Sequence, residues 1–295
     1  MQMKAMSASV VVVLAVLLQY GQCEASEIYL ESGGIVVGEA EAFSRRTNIG
    51  SEGWIIKPTE VSAVDTANGG PIISSARGGA YIQGLPNTDA GFEPLVGPSV
   101  EYDFLISTPG TYQLFLRWDG ADFRAPEHDS IFADILQLKD GPGGVADHIQ
   151  FSGRNDPNDP LGQLPDGSFA TLPWDGLGGA EVDNAAASPR TAAVWDFTSP
   201  GVYTLRLGIR EDGVAVDAFV LQLARLAAPT GTGPAISVTV LKGDVDMDGD
   251  VDFDDIAPFI AVLQAGAFQI EADCDCSTVV DFADIPAFIA ILQGQ

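Results

Sequence analysis

Basic residues are scarce in this chain. Only 14 Lys and Arg stand against 41 Asp and Glu in 295 residues, for a formal charge of −27. That shortage excludes nucleic acid, whose binders gain affinity from cationic contacts with phosphate. It also excludes adhesion to an anionic membrane surface. Histidine is nearly missing, with His128 and His148 alone. The chain has no H-E-x-x-H pair, no G-x-S-x-G elbow and no phosphate-cradling glycine loop, so the common hydrolase and nucleotide signatures are excluded. The one long apolar run, SVVVVLAVLL near the start, is half of the roughly 20 residues a membrane-spanning helix needs.

That run follows Lys4 and precedes the small residues of "CEA". A positive start, a greasy core and a small-residue exit predict a signal peptide over residues 1–25, and hence a secreted protein that leaves the membrane once the signal is cut. Cys23 departs with it. Cys274 and Cys276 remain, too few for a disulfide framework, so the core must hold the fold together. A bridge between them would close a tight ring, and two thiols are the alternative.

What the chain has in quantity is apolar alternation. In "SVEYDFLI", Val100, Tyr102, Phe104 and Ile106 fall on every second residue. Tyr112, Leu114, Leu116 and Trp118 do so after "STPG", and Tyr203, Leu205, Leu207 and Ile209 in "PGVYTLRLGIR". Period two between Pro-Gly and Asp-Gly turns predicts antiparallel sheet with one buried face. Many such strands over residues 26–225 predict a mainly β fold, an antiparallel β-sandwich of the jelly-roll kind. Residues 226–240, with "LAAPTGTGPAIS", read as a linker. Residues 241–295 form a second, small all-α module.

"GEAEAF", "PGTYQLFLRW", "DSIFADI" and "PGVYTLRLGIREDGVAVDAFVLQL", in this order, resemble the galactose-binding-like jelly roll of family 6 and family 35 carbohydrate-binding modules. The resemblance covers roughly residues 27–225. It implies a structural calcium between paired glutamates of the opening strand and an aspartate of the last. The matching positions are Glu39, Glu41 and Asp217.

A sugar ring has an apolar face that needs an aromatic platform. Trp118 continues a core face, and Trp195 and Phe197 lie in a strand-like run, so these three are expected inside. Trp54, Tyr81 and Trp174, beside glycines in turns, are the expected carbohydrate-binding residues.

The acid is concentrated in "GDVDMDGDVDFDD". Counted from Asp244, oxygen ligands fall at Asp244, Asp246, Asp248, Asp252 and Asp255, with Asp250 giving its carbonyl and Gly249 at the sharp turn. This is the calcium-loop pattern, in which alternation points side chains at one centre while the backbone wraps around it. An apolar helical stripe follows at Ile256, Phe259, Ile260 and Leu263. "VDFDDIAPFIAVLQ" returns 29 residues later as "VDFADIPAFIAILQ", with a second stripe at Ile285, Phe288, Ile289 and Leu292. In that register the second loop has Asp273, Asp275, Ser277, Val279 through its carbonyl, Asp281 and Asp284. Thr278 replaces the glycine, so this loop should hold calcium more weakly.

The doubled loop–helix unit resembles a type I dockerin module. The resemblance implies Ca2+ as cofactor and a cohesin-like extracellular partner. The tenth and eleventh loop places hold Phe253-Asp254 and Phe282-Ala283, where such modules carry polar residues, so packing of the tail within its own chain is the alternative. The expectation is a secreted, non-catalytic protein that attaches to polysaccharide or assembles in complexes that break it down. Two other readings are a polysaccharide hydrolase or lyase with catalytic carboxylates in the 119–191 loops, and a structural surface protein without a sugar ligand.

Overall fold

The computed structural model describes residues 26–60, 72–86, 90–119, 130–139, 146–152, 172–178 and 191–294. The predicted signal peptide and most of the 119–191 loops, with His128, lie outside them. The chain divides into two compact units, Glu27–Val240 and Leu241–Gln295, the latter with Ser26.

Sixteen strands lie among the described residues, all but the last residue of the sixteenth within the larger unit. They are β1 (Glu27–Leu30), β2 (Ile35–Glu39), β3 (Arg45–Thr47), β4 (Gly53–Lys57), β5 (Tyr81–Leu85), β6 (Ser99–Ile106), β7 (Gly110–Asp119) and β8 (Ser130–Lys139). Then come β9 (Ala146–Ser152), β10 (Trp174–Asp175), β11 (Leu177–Gly178), β12 (Thr191–Ala192), β13 (Val194–Phe197), β14 (Gly201–Ile209), β15 (Ala215–Leu223) and β16 (Thr239–Leu241). One sheet runs β16-β1-β6-β14-β8-β9, with β3 also on β6. The other runs β10-β7-β15-β5-β4, with β13 on β7 and β2 on β15. Pairing is antiparallel except between β1 and β6.

The two sheets form a sandwich because their alternating apolar faces meet. Tyr102 and Phe104 of β6 and Leu205 and Leu207 of β14 share one core with Leu114, Leu116 and Trp118 of β7 and Phe219 and Leu221 of β15. The rings of Tyr102 and Phe219 touch across the layers at 4.8 Å between centroids. Trp118 is fully buried and its indole N–H donates to Asp175 at 3.2 Å. Trp195 and Phe197 are also inside, as their alternation predicts. Truncating one such aromatic costs about 3–5 kcal/mol.

The expectation of one wet face fails at the centre of the second sheet. Every residue of β15 is buried. On the outer side Val37, Phe115 and Val220 make a second small cluster, with Ile35 and Trp174 packed on it. Within the stretch 226–240 read from sequence as a linker, residues 226–238 lie against this unit. Trp174 donates its indole N–H to the Gly231 carbonyl at 3.1 Å, and Arg77 donates to the Thr232 carbonyl at 3.2 Å. Ser237 exchanges hydrogen bonds with the Val37 backbone in both directions. Gly233 passes so close to the Trp174 ring that a Cβ would sit 2.5 Å from it. Glycine and proline here provide a close-fitting strap rather than slack.

The smaller unit holds two helices, α1 (Ile256–Ala265) and α2 (Asp284–Leu292). Their Phe259 and Phe288 rings stack at 4.1 Å and centre a core with Val245, Ala272, Cys274, Val280 and Ile291. Gly266 ends α1 in the left-handed region and returns its N–H to the Val262 carbonyl. One position in each expected stripe is displaced. Ile260 and Ile289 are exposed, while Val262 and Ile291 pack on the core instead.

Candidate functional site

The acidic loops before α1 and α2 fold alike. In the first, carboxylate oxygens of Asp244, Asp246 and Asp255 lie within 4.8 Å of one another. In the second, Asp273, Asp275 and Asp284 do the same. The backbone holds them there. Asp244 accepts the N–H groups of Asp248 and Gly249, each at 3.1 Å. Asp255 accepts from Val245, Asp246 and Asp252. Asp273 accepts from Ser277 and Thr278, and Asp284 from Asp275 and Asp281, at 2.8–3.0 Å. The turn residues match too. Met247 and Cys276 at the fourth places have φ near +60°, and Gly249 and Thr278 at the sixth have +104° and +70°.

The remaining expected ligands stay outside the two converging groups. Asp248 accepts from the Asp250 N–H, Asp252 from Asp254 and Asp281 from Ala283, so these acids brace the turns. The Ser277 hydroxyl donates to the Val279 carbonyl at 3.0 Å. The loops are electrostatically uncomfortable alone. Asp248, then Asp252, pushes the Asp250 carboxyl upward, and burial lifts Asp273 to about 6. Hard carboxylate donors that converge and repel suit a hard cation. Phe253 and Phe282 at the tenth places are 79% and 81% exposed and stand out from the tail's surface.

In the sandwich, Glu39 lies opposite Ala218 where β15 bulges after Val216, and Glu41 and Asp217 are near it, but these three expected calcium ligands do not converge as the loop acids do. Two residues that sequence reasoning passed over join them. Arg77 places its Nε 2.8 Å from Glu39 and donates its backbone N–H to Asp217 at 2.8 Å. Arg117 pairs with the buried Asp217 carboxylate. Asp217 is therefore committed, whereas Glu39 Oε2 and Glu41 Oε2 are buried without a hydrogen-bond partner. Burial, then the charge on Glu39, raises the Glu41 carboxyl to about 7. A cation held by Glu39 and Glu41 fits those orphaned oxygens. Arg117 alternates with core residues along β7, and that alternation was the signal for its place on the outer side.

The aromatic expectations are corrected. Trp54 and Tyr81 are fully buried, with Trp54 donating to the Leu207 carbonyl and Tyr81 accepting the Ile73 N–H, so neither offers a face to a sugar. Trp174 is only half-buried, but its ring carries Gly233 and its N–H is used by Gly231. Cys274 and Cys276 form no disulfide.

Two further features were not foreseen. A cavity of about 220 Å³ is lined by Gly91, Phe92, Glu93, Arg210 and Glu211. Ser130 donates to Glu211 at 2.6 Å and accepts from Arg210 at 2.8 Å beside it. "REDG" reads only as a turn in the sequence. Asp134 of β8 is 1% exposed, with neither carboxylate oxygen hydrogen-bonded. Burial lifts it to about 7 against the opposing pull of Arg206, its partner in register on β14. Among the described residues, no helix is long and apolar enough to cross a membrane.

Compared with protein-family models and with curated proteins, the chain matches none. Among solved structures it is similar to the GH26-CBM35 beta-(1,4)-mannanase of Podospora anserina, at 12% identity over 67% of this chain and 29% of that one, with a TM-score of 0.34. It is similar to the exo-beta-1,3-galactanase of Phanerochaete chrysosporium, at 12% over 65% and 30%, with a TM-score of 0.33. It is also similar to a family 35 carbohydrate binding module of Clostridium thermocellum, at 13% over 65% of this chain and 100% of that one, with a TM-score of 0.31. The chain spans less than a third of the length of the two enzymes.

Proposed function

We propose that this is a secreted, non-catalytic protein whose tail folds around calcium and whose sandwich holds a polysaccharide. The observation that carries the reading is the doubled convergence of Asp244, Asp246, Asp255 and Asp273, Asp275, Asp284, each group pinned by backbone N–H groups and set before a helix. Calcium takes several oxygen ligands and tolerates such loops, and its binding energy becomes folding energy for so small a core. Exposed Phe253 and Phe282 at matching places support a protein partner for this dockerin-like tail. The cavity by Phe92, with Glu93, Arg210 and Glu211, supports sugar binding, since it offers one aromatic surface and several charged groups for hydroxyls. A glycan array probed with the full chain in calcium tests the sugar half. Retention of a polysaccharide that Phe92→Ala and Arg210→Ala both abolish is the expected outcome. A blank array, or retention unchanged in both variants, removes it.

A further inference from the structure

We propose that Lys242 and Cys276 are an oxidative cross-linking site that ties the entrance of the first loop to the middle of the second. Lys242 stands just before Asp244 and is fully buried. Its Nζ donates a hydrogen bond to Cys276 Sγ, across 34 positions of sequence. The two cysteines face different partners. Cys274 is buried and its thiol is directed to the Glu271 carbonyl at 3.7 Å. Cys276, at the fourth place of its loop, is half-buried, and its left-handed backbone at φ +59° turns its side chain to the lysine. An amine held against a partly accessible thiol is the arrangement in which a sulfenic acid is captured by nitrogen before it is oxidised further.

The reaction needs hydrogen peroxide as oxidant. Peroxide transfers an oxygen to Sγ: an S–O bond forms, the O–O bond breaks and water leaves, so the thiol is oxidised to a sulfenic acid as the peroxide is reduced. Lys242 Nζ, after its surplus proton passes to the hydroxide that peroxide releases on oxidising the sulfur, which is the water that leaves, attacks sulfur. The S–N bond forms, the S–O bond breaks, and the hydroxyl leaves as water with a proton from nitrogen. The product is a sulfenamide, which a thiol reductant returns to amine and thiol. The bond closes a large ring around the first loop and α1, and restricts the unfolded tail as a disulfide would.

The test uses the full chain treated with limited hydrogen peroxide, then cut without reductant by trypsin and by a protease that cleaves after Glu271. The expected result is that cleavage after Lys242 is blocked and that the segments holding Lys242 and Cys276 stay joined, at a mass lower by a pair of hydrogens. Dithiothreitol separates them. Cys274→Ser keeps the link, and Lys242→Met and Cys276→Ser lose it. The cross-linked chain also keeps more helical circular dichroism in chelator than the reduced chain. Intact cleavage after Lys242, with the hydrogens lost within the segment carrying both cysteines, would mean a Cys274–Cys276 disulfide and overturn the proposal. Oxygen retained on Cys276 with Lys242 cleavable would overturn it as well.

Discussion

The two acidic loops share a backbone path but differ in charge and in the residue at the tightest turn. The first carries seven aspartates between Asp244 and Asp255, and the second four between Asp273 and Asp284. Gly249 takes a left-handed conformation at no steric cost, whereas Thr278 takes one that costs an L-residue roughly 1–2 kcal/mol. The hydrogen bonds that organise the two turns are nonetheless the same, from the N–H groups of residues 248 and 249 to Asp244 and from those of residues 277 and 278 to Asp273. Loop geometry thus survives the loss of its glycine because the first aspartate anchors the turn. What the second loop gives up is charge and ease.

The largest effect on this comparison should come from removing the cation altogether. The tail carries eleven Asp, one Glu and one Lys from residue 241 onward. With chelator the helical signal of α1 and α2 should collapse while the β signal persists, and calcium should restore it in far-ultraviolet circular dichroism. A tail equally helical in both conditions would falsify the metal reading. Next in size, Asp244→Ala should lower calcium affinity by about tenfold more than Asp273→Ala, a difference of about 1.4 kcal/mol. Calorimetric titration of both variants measures it, and equal losses would mean the loops contribute alike. A smaller change, in the other direction, is expected of Thr278→Gly. Relief of the left-handed threonine should tighten the weaker site about fivefold, in keeping with roughly 1 kcal/mol of relieved strain. No change would show that Thr278 is not what limits the loop.

The smallest effect concerns pH without metal. Burial raises Asp273 to about 6, so the folded tail binds a proton more tightly than the unfolded chain does. Stability from this group is present at about pH 4 and lost as pH rises through about 6. Acidifying the chelated protein from about pH 8 to about pH 5 should recover part of the helical signal, and Asp273→Asn should flatten that response. A chelated tail that loses helix on acidification reverses the sign and rules the explanation out.

Much of this was legible in local pattern. Val100, Tyr102, Phe104 and Ile106 announce their strand by period two, and the spacing of Asp244, Asp246 and Asp255 announces a loop. Long-range contacts were not legible. Arg117 meets Asp217 across 100 residues, and no local rule couples them. Trp54 and Tyr81 look like turn aromatics beside glycines, yet their strands β4 and β5 carry them inward. Both faces of β15 are dry because the strap and Trp174 cover the outer one, a pairing over 57 residues that turn-forming composition conceals. Ile260 and Ile289 fit the helical stripe, but the stacked phenylalanines set the rotation of the helices and leave both isoleucines outside.

The strap over Trp174 also has a mechanical consequence. A pull on residues 226–238 themselves meets few fasteners, since they are held by scattered hydrogen bonds to Arg77, Trp174 and the Val37 backbone rather than by a long ladder. Such attachments detach one after another under tension, so this segment yields before the paired strands behind it. Released, thirteen residues extend to roughly 40 Å, so the strap lengthens while the strands behind it stay paired.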